Sequence, residues 1–197
     1  MRIISGIAKG RKLISPVGKT TRPTLDRVKE SMFDILNDKV LNASVLDAFS
    51  GTGSLGLEAV SRGAKECVLI DGSKETFSFL SQNVKNLKFD DKCKCYNMDS
   101  FETVKKLGEN NNKYDIIFID PPYSKNMIPK VVETVDSFNM LLKDGIIVTK
   151  IDYRENLYEG TDNIRLIDHR KYGKTIICFY RHKGEIINEK GSIPGKL

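Results

Sequence analysis

Alternating strand and helix patterns from residue 45 to residue 150 predict an α/β protein built on a mostly parallel sheet. Three observations carry this prediction. Apolar runs of strand length recur at 45–49, 67–71, 93–97, 115–119 and 145–150, with helical periodicity near 54–62, 74–86, 100–107 and 127–141. A glycine-rich turn, Ser50-Gly51-Thr52-Gly53-Ser54-Leu55-Gly56, follows the first run. Carboxylates stand at or just beyond the ends of four runs: Asp47, Asp71, Asp99 and Asp120. Right-handed crossovers bring such strand ends to one edge, and open sheets bind ligands there, where the strand order reverses. The runs containing Asp47 and Asp120 are expected to flank that point.

Before the sheet, residues 2–7 and 11–15 alternate weakly about Lys9-Gly10, the pattern of a short β-hairpin. Arg22-Pro23-Thr24 then opens a helix. Thr24 can cap it, and Leu25, Val28, Met32, Ile35 and Leu36 recur on one face. After Lys150 the pattern changes. Residues 164–168 and 175–180 flank Lys171-Tyr172-Gly173 as an antiparallel hairpin that closes the sheet. The expected organisation is one domain over 1–183, comprising a 1–40 basic hairpin and helix and a 41–183 core, with a loosely held tail at 184–197.

The charge is uneven. Residues 1–30 hold eight Lys or Arg, including Arg2, Lys9, Arg11, Lys12 and Arg22, against Asp26 and Glu30. Of the 32 basic and 26 acidic residues in the whole chain, 24 of each remain elsewhere and cancel, so the arm carries the entire net charge of +6. A basic arm of this kind is the footprint of a polyanion-binding surface, and its removal is expected to leave the core folded. No apolar run reaches the ~20 residues that span a bilayer, and the N-terminus lacks a signal-peptide pattern, so cytoplasmic residence is expected. Cys67, Cys93, Cys95 and Cys178 lack zinc-site spacing, so no metal is expected and reduced thiols are. His169 and His182 sit among basic residues, away from the carboxylates.

The most specific chemistry lies in Asp120-Pro121-Pro122-Tyr123, which follows Ile116-Ile117-Phe118-Ile119. Each proline fixes its own φ and restricts the residue before it. Asp120 and a backbone carbonyl can then face one exocyclic NH2 group while Tyr123 stacks on the plane that bears it. That set suits methyl transfer to an amino nitrogen of a base. A glycine-rich turn alone is shared with nicotinamide-binding folds. Asp47 favours S-adenosylmethionine, because it can engage an ammonium but would repel a pyrophosphate. Asp71 suits a ribose diol, and Asp99 suits the adenine amine. Phe49, Gly51, Thr52 and Gly53 complete the expected cofactor set. Each Asp also has the ordinary alternative of capping a helix.

Several ordered segments carry a resemblance: Arg2-Ile3-Ile4-Ser5-Gly6 with Lys9-Gly10-Arg11-Lys12-Leu13, Arg22 to Glu30, Leu46 to Ala59 with Ser61-Arg62-Gly63-Ala64, and Phe118 to Tyr123. Together they resemble the bacterial 16S ribosomal RNA guanine-N2 methyltransferases. The resemblance implies a Rossmann-like S-adenosylmethionine-dependent methyltransferase fold, whose seven-stranded, mostly parallel sheet has its last strand antiparallel. It implies methyl transfer to a guanine N2 of 16S ribosomal RNA or of an assembling small subunit, by a protein expected to be monomeric. Asp71 stands where the family often has Glu, and Ser50-Gly51 where Ala-Gly is common. Two other readings remain open from the residues: a DNA adenine-N6 methyltransferase, and a non-catalytic RNA-binding module on a Rossmann core.

Overall fold

A computed structural model of the chain describes residues 1–16, 23–122 and 127–185, except the side chains of 23–25 and 185. Arg22, Tyr123, the capping side chain of Thr24 and nearly all of the tail lie outside the described residues. The expected hairpin is present but minimal. Arg2 bridges Lys12, and the Ile3 and Leu13 amides donate to the carbonyls of Arg11 and Met1 at 2.9 Å. Helix α1 (Pro23–Leu36) follows, burying Val28, Met32, Phe33 and Leu36 along one face.

The sheet is then laid down as β1 (Ser44–Asp47), α2 (Gly56–Ser61), β2 (Glu66–Ile70), α3 (Lys74–Leu87), β3 (Cys93–Tyr96), α4 (Ser100–Glu109), β4 (Tyr114–Ile119), α5 (Met127–Ser137) and β5 (Leu141–Asp152). A final hairpin, β6 (Ile164–Tyr172) and β7 (Thr175–His182), turns at Gly173, whose φ of +61° a glycine adopts without strain. Strand order is β3-β2-β1-β4-β5-β7-β6, with β7 antiparallel to both neighbours and the others parallel to β1. This is the expected methyltransferase sheet.

The unbroken apolar runs follow from helices on both faces. Side chains alternate along a strand, so Val45, Leu69, Ile116 and Phe118 pack toward α1, α2 and α3, while Leu46, Ile70, Ile117 and Ile119 pack toward α4 and α5. Neither face can accept a polar residue cheaply, so the periodicity of two disappears from the sequence.

Several boundaries differ from the sequence reading. Helix α2 starts at Gly56 because residues 51–55 form turns that leave β1. Helix α5 stops at Ser137 and β5 starts at Leu141, since Asn139 takes a left-handed φ of +48° and ends the helix. The exposed Lys143 and Asp144 hid the first residues of β5.

The basic arm is no detachable extension. Ile3, Ala8 and Leu13 are buried in the same cluster as Leu57, Val60 and Leu80. The arm is also hydrogen-bonded to the core. The Ile4 and Ser5 amides donate to the Glu58 carboxylate at 2.8 and 2.9 Å, and the Ile14 amide donates to Asn83 Oδ1 at 2.7 Å. Removing residues 1–15 would uncover this apolar surface and strip buried acceptors of their donors. These contacts argue against the expectation that the core survives such a deletion. All four cysteines are free, with Cys67 and Cys178 buried, and burial pushes the Cys93 and Cys95 thiols up to about 12 and about 11.

Candidate active site

The strand order reverses between β1 and β4, so the loops leaving those two strands open side by side. The loop after β1 folds back because Gly51 and Gly53 take φ of +55° and +90°. At Gly53 a side chain would also collide, its Cβ lying 2.6 Å from Leu57 Cδ1 and 2.7 Å from Leu80 Cδ1. Gly51 has nothing within 4 Å of its Cβ position, so its backbone faces open space. The two residues serve different needs: Gly53 packs the loop on its helices, and Gly51 presents peptide surface to a ligand.

Asp71, just beyond β2, ties the loop down. Its Oδ2 accepts from the Gly51 amide at 2.9 Å, and its Oδ1 accepts from the Ser73 amide and the Thr76 hydroxyl, both at 2.9 Å. Asp99 caps α4, its Oδ1 accepting from the Phe101 and Glu102 amides at 2.9 and 3.0 Å. The sequence allows both capping and ligand binding for these residues. Capping is observed for Asp99, whereas Ser73 caps α3 and Asp71 fastens the loop. Both carboxylates still border a cavity of about 490 Å³ together with Phe49, Gly51, Asp120 and Pro121.

Asp47 sits deeper. It is 1% exposed and borders neither this cavity nor the neighbouring one. Its Oδ2 accepts from the Gly56 amide at 2.9 Å, whereas its Oδ1 and the nearby Thr52 Oγ1 are buried without a hydrogen-bond partner. Burial pushes the Asp47 carboxyl up to about 7, opposed by the Gly56 amide and reinforced by the Asp120 and Asp71 charges. Of the two residues, only Thr52 borders the crevice, so its hydroxyl is the one a polar ligand can reach.

Asp120 faces Lys150 of β5, and the two form an ion pair at side-chain exposures of 24% and 18%. Sequence reasoning did not find Lys150. Its register explains it: Ile119 pairs with Thr149, so the next residue on each strand comes side by side. A second cavity of about 300 Å³, bordered by Met1, Lys29, Phe49, Gly51, Asp120 and Lys150 among others, shares Phe49, Gly51 and Asp120 with the first. Pro121, buried, and Pro122, exposed, border the first cavity.

Arg2, Lys9, Arg11 and Lys12 are all exposed. Arg2 Nε pairs with Asp26 at 2.9 Å, and an Arg11 guanidinium N–H donates to the Asn86 carbonyl at 2.8 Å. Lys29, counted by sequence as surface charge, is instead 5% exposed. Its ammonium lies 3.0 Å from Glu58 Oε2 and donates to the Arg2 carbonyl at 2.6 Å. Burial lowers the Lys29 pKa, and Glu58 opposes that shift. Glu58 is wholly buried and also accepts from Arg62 Nε at 2.8 Å.

Among the described residues no group of His, Cys, Asp or Glu is placed to hold a metal ion, and no helix is long and apolar enough to cross a membrane. A family model described as Conserved hypothetical protein 95 matches residues 1–181. YlbH of Bacillus subtilis, named as a candidate rRNA methyltransferase, is 33% identical over 93% of this chain and 100% of its own. Ribosomal RNA small subunit methyltransferase D of Buchnera aphidicola is 34% identical over 79% of this chain and 80% of its own. A solved Escherichia coli chain described as a candidate methyltransferase, yhhF, superposes with a TM-score of 0.81 at 26% identity, covering 92% of this chain and 97% of that one. With its strand order, its glycine loop and its paired crevice, the chain belongs to the family described as Conserved hypothetical protein 95, that of the bacterial ribosomal RNA small subunit methyltransferases D.

Proposed function

We propose that this chain transfers a methyl group from S-adenosylmethionine to the exocyclic N2 amine of a guanine in 16S ribosomal RNA, in the cytoplasm. The observation that carries this reading is Asp120: it borders both cavities, one reaching Asp71 and Asp99 and the other reaching Lys29 and the hairpin's Met1. One carboxylate between two spaces can meet a cofactor on one side and an acceptor on the other. The cofactor supplies an electrophilic methyl, so the residues mainly have to align an amine with it, an orientation effect. Gly51 and Asp71 would hold the cofactor's sugar, Phe49 and Asp99 would meet its base, and the Asp47 charge would balance its ammonium from behind the loop. Asp120 would accept a hydrogen bond from the acceptor NH2, turning the nitrogen lone pair toward the methyl. It would oppose the positive charge that builds on nitrogen as the methyl leaves sulfur, and would receive the proton that the methylated nitrogen gives up. A guanine reaches such a crevice only when unstacked, so the substrate is a loop or a flipped nucleotide.

The direct test is mass mapping of N2-methylguanosine in 16S ribosomal RNA with and without the protein. Loss of that nucleoside in its absence is expected, whereas N6-methyladenine formed on DNA would redirect the reading. Two binding results are also expected. Asp71→Ala should weaken S-adenosylmethionine by about 1.5–3 kcal/mol, the range for hydrogen bonds to a charged acceptor. Calorimetry reads this directly, and unchanged affinity would move the sugar contact elsewhere.

Replacing Arg2, Lys9, Arg11 and Lys12 with Ala should lower RNA affinity while S-adenosylmethionine affinity stays put. These side chains are exposed, so the buried part of the hairpin is kept. The logarithmic salt slope should shrink by roughly 0.7–0.9 for each phosphate that is no longer neutralised. Parallel salt plots of equal affinity would reduce the arm's charge to solvated decoration.

A further inference from the structure

The carboxyl edge that carries Asp120 continues past β5 to a second basic surface. β6 runs parallel to β5, so its end and the turn after it emerge on that same edge. Tyr153 follows the last residue of β5 and is 42% exposed. Its amide donates to the Lys174 carbonyl at 3.0 Å, and Asp152 pairs with Thr175, so the ring stands on paired backbone. Lys171 Nζ lies 5.2 Å and Arg154 Cζ 5.7 Å from the ring centroid, both within cation–π range. Lys171 and Lys174 are exposed on either side of the turn.

The acids nearby are already engaged. Asp152 accepts from Arg154 Nε at 2.7 Å, Glu155 accepts from the Asp152 amide at 2.8 Å, and Asp168 accepts from Arg170 Nε at 2.8 Å. Arg154 is thereby tied down, and binding of an anion falls to Lys171 and Lys174. The distance to the crevice is set by register. Asp120 lies level with Lys150, and Tyr153 lies three residues beyond Lys150, just past the end of β5, about 10 Å away at ~3.3 Å per residue. That is too far for the target base and suits a neighbouring nucleotide.

We propose that Tyr153, with Lys171 and Lys174, forms a second RNA-binding surface on which an unpaired base beside the target nucleotide stacks while the lysines meet its phosphates. The surface rests on the RNA-methylating reading above. The strand order sets it on the β5 side of the β1–β4 crevice, whereas the hairpin is bound to α2 and α3, the helices between β1, β2 and β3. Together the two surfaces would hold RNA on both flanks of the target. Aromatic rings bind bases of any sequence by stacking, and flanking cations follow the backbone. An exposed tyrosine that merely closes a turn would have no bearing on RNA.

The test uses the full chain and 16S ribosomal RNA purified from cells that lack the protein, with binding measured at several salt concentrations. Tyr153→Ala should weaken binding roughly tenfold and Tyr153→Phe hardly at all, because the ring supplies the stacking surface. Lys171→Ala with Lys174→Ala should shrink the logarithmic salt slope by roughly 0.7–0.9 per lysine. S-adenosylmethionine affinity and the methylation rate at saturating RNA should stay at wild-type values in every variant, which also reports on folding. Tyr153→Ala binding RNA as tightly as wild type, with parallel salt plots for the lysine variant, would overturn the proposal. Equal affinity for naked RNA but weaker binding to a precursor particle of the small subunit would hand the surface to a ribosomal protein, and overturn it too. Failure of the wild-type chain itself to bind or methylate the RNA would instead remove the reading on which the surface rests.

Discussion

Asp120→Ala is expected to bind S-adenosylmethionine as wild type does and to lose methyl transfer by roughly 100- to 1,000-fold, the scale seen when one preorganised electrostatic group is removed. The acceptor amine is a weak nucleophile because its lone pair is delocalised into the base. Only a group that takes a hydrogen bond from that amine and faces the growing positive charge changes this, and Asp120 is the carboxylate common to both cavities. Single-turnover rates with both substrates saturating isolate the chemical step from binding. Turnover within about fivefold of wild type would remove Asp120 from the chemistry.

Lys150 complicates that experiment and also sharpens it. In the single variant its ammonium keeps its place on β5 and loses the Asp120 carboxylate. A cation facing a nitrogen that becomes positive would slow transfer by itself. The double variant with Lys150→Met takes this charge away. If the missing carboxylate causes the loss, the double variant stays as slow as the single one. If it recovers most of the rate, the defect came from the lysine's charge rather than from the missing carboxylate. The pair also describes the protein before RNA arrives: Lys150 holds the carboxylate at the mouth of the crevice, and an amine bound as proposed would share it.

Much of this site was legible in the chain because its parts are local. A strand buried on both faces needs Ile116 to Ile119, a reversal after β1 needs Gly51 and Gly53, and carboxylates at strand ends need only the strands to be found. What stayed hidden depends on register or on depth. Lys150 reads as a surface lysine until Ile119 is paired with Thr149. The sequence places Asp47 at the strand end but does not show its depth: it borders neither cavity, so its charge acts on the crevice from behind the loop. The basic arm misleads for a different reason. Counting charge treats every lysine as solvated, and Lys29 is buried. A signal for that existed, since Glu58 is the lone charged residue in the stretch 51–61. A single acid among apolar and small residues, in a helix too short to reach solvent on every side, asks for a buried cation.

Glu58→Ala is expected to destabilise the fold by about 3–5 kcal/mol, the cost of breaking a buried ion pair by removing one partner. In a chain of this size that corresponds to a melting temperature lower by on the order of 10 °C. Glu58 gathers donors from three parts of the chain: the Ile4 and Ser5 amides of the hairpin, Lys29 of α1 and Arg62 beyond α2. Without it, Lys29 is left buried without its anion and two hairpin amides lose their acceptor. Glu58→Gln keeps the shape and should recover only part of the loss, because Lys29 still lacks a counter-charge. Adding Lys29→Met to Glu58→Gln removes the stranded cation, so that pair should melt above Glu58→Ala. The effect should also reach function, since Lys29 borders the crevice beside Ser54 and the hairpin's Met1. A loosened hairpin would then weaken RNA binding even with Arg2, Lys9, Arg11 and Lys12 intact. Thermal melts of the three variants decide the matter. A Glu58→Ala protein that melts within about 2 °C of wild type would mean that solvent reaches Lys29, and that the arm is held by its apolar packing alone.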